Sequence, residues 1–290
     1  MPGLPLAPVA PEIFEARFVA AEPASSDGYV LRLEPLVSTA APAPSQFYML
    51  SLPERLQPLL PRPFSIYRTA GGELHFLIKR QGPATRAYER LAPGDRLRLV
   101  GPLGAMWPEP EPEIPTVLVA GGVGLAPFPL WIERALARGM APEKIRLVFG
   151  ARDERGLYDL ARLRSYGVAL DLCTEDGAVG ERGRVTDLLT RGFASGAIDA
   201  SMRFFVCGPD PMMAAVKRCL GAVERERSAS IAAWFSLETY MACGLGVCNG
   251  CAVPVDPACH GDWPYAKACL HGPVFESRVL APGALEGAHG

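Results

Sequence analysis

The stretch CGLGVCNGC at residues 243–251 crowds three thiols into one glycine-rich loop. Cys243, Cys248 and Cys251 form C-x4-C-x2-C, the plant-type spacing of a [2Fe–2S] cluster, which takes a fourth cysteine from further along the chain. Two irons need four thiolates, and a short loop can wrap one edge of so small a cluster. Gly244, Gly246 and Gly250 permit the wrapping and leave backbone N–H groups to bond the sulfurs. Zinc is the rival metal, but it favours C-x2-C pairs and fits this spacing less well. Four disulfides are the other reading of eight cysteines (Cys173, Cys207, Cys219, Cys243, Cys248, Cys251, Cys259 and Cys269). Five of these follow residue 242, and a 290-residue chain builds a core without staples. A C-x2-C in a glycine-rich loop reads as ligation in a reducing compartment, which places the protein in the cytoplasm. The fourth ligand is Cys259, in VDPACHGDWP, or Cys269, in AKACLHGPVF, and spacing leaves both open.

A second group of residues suits a dinucleotide. GGVGLAP (121–127) has the spacing G-x-G-x-x-P from Gly122. Glycines there let backbone N–H groups approach a pyrophosphate, and a following helix N-terminus favours its charge. Pro127 suits a first helical turn, where its missing N–H costs nothing. A tight strand–helix turn uses glycine anyway, so the loop gains meaning from CGPDPMM (207–213), which ends a later strand and starts another helix. Ligands of open α/β sheets bind outside the carboxyl ends of the strands, where both loops would lie. In RPFS (62–65), Arg62 could pair with a phosphate, Phe64 flank a ring and Ser65 donate a hydrogen bond. On spacing alone, an edge strand with an exposed arginine and a core phenylalanine is the favoured reading. Asp153, after the second parallel strand, suits ribose hydroxyls and NAD, whereas Arg152 and Arg155 suit a 2′-phosphate; NAD is the expectation. The four histidines (His75, His260, His271, His289) show no metal-ligand spacing, although His271 could lie near the cluster. No pattern suggests a site for an organic substrate.

These residues need a scaffold, and the chain changes texture twice. EARFVAAE, DGYVLRLEPL, QFYMLSL, RPFSIYR, ELHFLIKR and DRLRLVG are short β-like runs with turn punctuation, the pattern of a β-barrel or sandwich. ATRAYERL (84–91) reads as helix and the proline-rich MWPEPEPEIP (106–115) as a linker. From Thr116, strands (TVLVAGG, IRLVFGA, VALDLCTE, RFFVCG) alternate with helices, as in a doubly wound parallel sheet. Residues 228–290 are Cys- and Gly-rich with little periodicity, and should form a small domain organised by what the cysteines hold. Net charge is −2, from 29 basic and 31 acidic residues, so nucleic acid is not an expected partner. The proline-rich N-terminal segment does not read as a signal peptide, and no window approaches the roughly 20 apolar residues of a membrane helix.

In order, RPFSIY, LIKRQGPAT, GPLG, GGVGLAP and CGPDPMM resemble the ferredoxin-reductase superfamily, whose flavin barrel precedes a nicotinamide nucleotide domain. SLETYMACGLGVCNGC followed by KACLHGPVF resembles the electron-transfer subunits of the two-subunit, NAD-linked dihydroorotate dehydrogenases. The resemblance implies an FAD-binding β-barrel over 1–108, an NAD-binding α/β domain over 109–227 and a [2Fe–2S] domain over 228–290. It implies that Arg62, Pro63, Phe64 and Ser65 match the flavin motif, in which Arg62 pairs with the pyrophosphate and Ser65 lies near the isoalloxazine, and that Leu77, Ile78 and Lys79 match a strand passing the flavin. Ala84 and Thr85 match a Gly-Thr that caps the phosphate-binding helix, with alanine where the family usually has glycine. Gly121, Gly122, Val123, Gly124 and Pro127 match the nicotinamide nucleotide loop; Cys207, Gly208, Pro209 and Met212 match a second loop over the nicotinamide. The fourth cluster ligand becomes Cys269, from the C-x-x-G-P-V-F run, beside Cys243, Cys248 and Cys251. The partner implied is an FMN-containing, dihydroorotate-oxidising catalytic subunit, in a heterotetramer of two of each, with no membrane or nucleic acid. Flavoprotein subunits of transhydrogenase, hydrogenase or oxygenase systems are the alternative. In the transhydrogenase group the first cluster position is often aspartate; here it is Cys243.

Overall fold

The computed structural model describes residues 10–52 and 60–285. His289 lies outside them. Among the described residues, seven strands build the first sheet: β1 (Glu12–Ser25), β2 (Gly28–Pro35), β3 (Phe47–Ser51), β4 (Arg62–Ser65), β5 (Arg68–Ala70), β6 (Glu73–Lys79) and β7 (Arg96–Leu103). They pair antiparallel in the order β4-β3-β7-β1-β2-β6-β5. β4 also lies against β6, which curls the sheet into a barrel. Alternation sets its inside: Tyr29, Leu31 and Leu33 of β2, and Leu97 and Leu99 of β7, enter the core, while Arg96 and Arg98 stay out. Helix α1 (Pro83–Glu89) closes one end, where buried Tyr88 donates to the Leu50 carbonyl at 2.9 Å.

The second sheet uses β8 (Thr116–Gly121), β9 (Ile145–Ala151), β10 (Ala169–Thr174), β11 (Glu181–Arg182), β12 (Arg203–Cys207) and β13 (Ala233–Ser236). A hairpin of β14 (Ala252–Pro254) and β15 (Tyr265–Lys267) stands apart, and β16 (Val274–Glu276) returns to the sheet. The order is β11-β10-β9-β8-β12-β13-β16, parallel except for β16. Helices α2 (Pro129–Ala137), α3 (Leu160–Ser165), α4 (Val185–Ser195) and α5 (Asp210–Arg227) accompany it. Every residue of β8 and β12 is buried, as a strand covered on both faces requires. The strand order reverses between β8 and β12, so a crevice opens at their carboxyl ends. Among the described residues no helix is long and apolar enough to cross a membrane.

Two expectations change. The nucleotide sheet does not end at residue 227, because β13 and β16 are its outer strands and the cysteine-bearing segment 237–273 is a module hung between them. The proline-rich 106–115 stretch is more than a linker. Trp107 is buried and stacks between Phe128 (5.5 Å) and Phe205 (5.0 Å), and each such pair adds about 0.5–1.5 kcal/mol beyond area burial. Hydroxyls complete the join of barrel to sheet: Tyr67 donates to Asp159 and Tyr158 to Asp27, each at 2.8 Å.

Candidate active site and thiol centre

The two nucleotide loops meet at the β8/β12 crevice. A Cβ on Gly124 would lie 2.4 Å from the Cys207 carbonyl oxygen, and one on Gly208 3.0 Å from Gly121 Cα. Met212 rests on Gly121, where a Cβ would come within 2.3 Å of its sulfur. Glycine is thus what lets the loops close on each other. Gly122 differs: its φ is +53°, and open space lies where a Cβ would be, a cradle free for a phosphate. Pro127 does not sit in the first helical turn as expected. Gly122–Leu125 form a single 3-10 turn and α2 begins at Pro129; Pro127 instead offers its carbonyl to the Trp107 indole at 3.2 Å.

In front of these loops is a cleft of about 250 Å³ between barrel and sheet. Pro63, Phe64, Ser65, Leu77, Lys79 and Thr85 line it from the barrel, and Val123, Gly124, Pro127 and Cys207 from the sheet. Strand alternation sorts the LIK run: Leu77 and Lys79 face the cleft, while the Ile78 side chain is buried in the barrel core. The expectation for Ile78 therefore holds no side-chain contact with the cleft. Arg62 is exposed on β4, donating to the Leu60 and Pro61 carbonyls. Ala84 packs into the barrel core, and its neighbour Thr85 does the capping, accepting from Gln81 and Gly82 N–H groups at 3.0 and 3.1 Å. Gly121, Gly208, Pro209 and Met212 pack on one another and, like Gly122, do not line the cleft itself. Just after β9, Asp153 accepts from the Arg155 amide at 3.0 Å and pairs with its guanidinium, so the two rival nucleotide signals engage each other.

Several cleft residues escaped the sequence reading, Glu238, Thr239 and Met241 among them. Glu238 follows β13 at the solvent-exposed lip of the cleft, where desolvation of its carboxyl shifts it above the usual range; Asp210 adds to this and Lys79 opposes it. Burial likewise pushes the Cys207 thiol up, keeping it neutral. Thr239 presents a buried hydroxyl without a partner among the described residues, and Met241 completes the wall. The available signal was position: all three lie just beyond a parallel strand, at the ligand edge of the sheet.

The thiols gather as two pairs. Cys243 and Cys248 sulfurs are 3.4 Å apart, and Cys251 and Cys269 sulfurs 3.2 Å apart. The hairpin makes the second pair: Ala252 opposes Lys267, and the Ala268 amide donates to the Cys251 carbonyl at 2.9 Å, so Cys269 arrives beside Cys251. Cys259 ends a 3-10 turn (Pro257–Cys259) outside both pairs. A tetrahedral metal with thiolate bonds of about 2.3 Å spaces its sulfurs by about 3.8 Å, so each pair suits one metal after a small opening. Among the described residues no three His, Cys, Asp or Glu side chains gather tightly enough for a single ion. N–H groups already favour thiolate. Burial raises the Cys243 thiol, but backbone bonds from Cys248, Leu245 and Val247 outweigh that and bring it to about 7. The Cys269 hydrogen bond draws Cys251 down to about 6, and the same contact pushes Cys269 up, so the pair shares a proton.

A barrel closed on a doubly wound sheet, a cleft at their junction and a paired-thiol module beside it define a ferredoxin-reductase-like electron-transfer oxidoreductase. The family model of the oxidoreductase NAD-binding domain matches residues 118–218, and that of the iron–sulfur cluster binding domain of dihydroorotate dehydrogenase B matches 238–281. The chain is similar to the dihydroorotate dehydrogenase B (NAD(+)) electron transfer subunit of Desulforamulus reducens, at 32% identity over 76% of this chain and 79% of that one. The subunit of the same name from Bacillus velezensis is 32% identical over 77% and 81%. The chain belongs to this family of dihydroorotate dehydrogenase B electron transfer subunits. A solved NADH-dependent reduced ferredoxin–NADP oxidoreductase, described for flavin-based electron bifurcation, has the same architecture: TM-score 0.73, 26% identity, 92% of this chain and 89% of that one.

Proposed function

We propose that the chain is the electron-transfer subunit of an NAD-linked dihydroorotate dehydrogenase, taking electrons from an FMN-containing catalytic subunit and delivering them to NAD+. FAD lies in the cleft, held by Arg62, Pro63, Phe64, Ser65, Leu77, Lys79 and Thr85 and by the backbone of Ile78 and Ala84. NAD(H) lies over Gly121, Gly122, Val123, Gly124 and Pro127, capped by Cys207, Gly208, Pro209 and Met212. Cys243 and Cys248 hold one iron of a [2Fe–2S] cluster, and Cys251 and Cys269 the other. When bound, the nicotinamide exchanges a hydride, the flavin divides an electron pair, and the cluster carries single electrons. The chain's own part is to hold these groups in line and to keep the Cys207 thiol neutral in the cleft. One observation supports the reading most: Met241 lines the cleft and packs against the core containing Cys251 and Cys269, two residues before Cys243. Cleft and thiols thus share one short segment, as electron passage between them requires.

Apolar exposure around the thiols supports a protein partner. Val247 is 81% exposed, and Tyr240, Leu245, Trp263 and Tyr265 are also exposed, in the same module as exposed Cys248. Val247→Glu should abolish co-purification with the catalytic subunit while iron and FAD contents stay at wild-type level; a complex that survives places the partner elsewhere. A heterotetramer of two of each subunit, in the cytoplasm, is the assembly this reading carries. The similarity to the ferredoxin–NADP oxidoreductase favours a second reading, a transhydrogenase-type subunit. Co-expression separates them: dihydroorotate-dependent NADH formation by the purified complex supports the first, and ferredoxin-dependent turnover without it the second.

A further inference from the structure

Lys267 connects three segments that carry the paired thiols. Its ammonium donates to the Gly246 carbonyl at 2.7 Å, inside the C-x4-C-x2-C loop. Its backbone pairs with Ala252, the residue after Cys251. Its own carbonyl accepts from Leu270 at 3.0 Å and His271 at 2.8 Å, and its amide donates to His271 Nδ1 at 3.1 Å, which together shape the turn bearing Cys269. Gly246 is held from the other side as well: it has φ +78°, and a Cβ there would lie 2.4 Å from Leu270 Cδ1. In the same loop the Leu245 amide donates to the Cys243 sulfur at 3.4 Å.

We propose that Lys267 is a positioning residue that clamps the cysteine loop through Gly246 and, by its charge held at that carbonyl between Cys243 and Cys248 in sequence, favours the reduced state of the metal centre. The inference rests on the cluster reading above. Its logic is elementary. Reduction adds one negative charge to a centre already carrying four thiolates. A fixed ammonium stabilises that charge, and hydrogen bonds to the sulfurs act in the same sense. No bond to iron is required of Lys267, and no proton moves.

The test is a redox titration of the purified holoprotein, followed by the electron paramagnetic resonance signal of the reduced [2Fe–2S] centre. Lys267→Gln keeps a donor for the Gly246 carbonyl without the charge; Lys267→Arg keeps both. Lys267→Gln should lower the reduction equilibrium constant about tenfold, about 59 mV for a one-electron couple, with Lys267→Arg near wild type. Should Lys267→Gln fail to load iron, retention by Lys267→Arg still supports the charged clamp, since residues supporting a metal's ligands are worth about 10–100-fold in affinity. Lys267→Gln that loads fully and titrates with wild type overturns the proposal, as does iron loss from Lys267→Arg. A wild-type protein without a [2Fe–2S] signal contradicts the cluster reading itself, and is thereby distinguished from failure of the Lys267 role.

Discussion

Cys269→Ser should abolish the iron–sulfur signal, with iron falling from about two per chain to near zero, while Cys259→Ser keeps both. The expectation rests on pairing. Cys269 reaches Cys251 at 3.2 Å because the β14–β15 register delivers it there, whereas Cys259 ends a turn with no place in either pair. Removing Cys269 leaves one iron with a single protein thiolate. FAD content should stay unchanged, since the cleft takes no residue from the turn carrying Cys269 other than Pro273. Iron analysis and electron paramagnetic resonance of the two variants check this directly. The reverse pattern, iron lost with Cys259 and kept without Cys269, would refute the ligand set.

The second large effect is at the nucleotide loops. Gly124→Ala places a methyl 2.4 Å from the Cys207 carbonyl oxygen and 2.6 Å from Gly208 Cα. These are backbone atoms at the end of a buried strand, so they cannot swing aside as a flexible side chain would. Overpacking of this kind costs about 1–3 kcal/mol, and here the relief is to part the two loops that flank the proposed nicotinamide position. Flavin reduction by NADH should slow at least about tenfold, with the NADH KM raised. Iron and FAD contents should hold, because the thiol pairs and the barrel face of the cleft are untouched. Unchanged single-turnover reduction would show that the loops' close approach is not what positions the nucleotide.

What the sequence carried, and what it did not, divides along physical lines. The C-x4-C-x2-C spacing is local, so three thiols were legible at once; the fourth depended on a hairpin register between residues 252 and 267, which spacing cannot encode. The parallel sheet was legible where its strands are long apolar runs, as in TVLVAG. Its last two strands, AWFS and VFE, have four and three residues and no distinctive period, so the sequence marks the sheet only as far as residue 227. Trp107 sits among prolines that signal a linker, and only the packed aromatics Phe128 and Phe205 reveal its role. Ile78 was grouped with Leu77 and Lys79 by motif, but the two-residue period of a strand turns it inward. Glu238 is a lone carboxylate without a pattern, and only its place at the lip of the cleft marks it.

The central claim is that NAD(H), FAD and a [2Fe–2S] centre form one redox line in this chain. Anaerobic addition of NADH to the purified holoprotein, with flavin absorbance and the cluster's electron paramagnetic resonance followed together, tests it most directly. The account predicts that the flavin bleaches and that the reduced-cluster signal then rises in the same molecules. A colourless protein carrying zinc and no iron, or a flavin that NADH leaves oxidised, would contradict it.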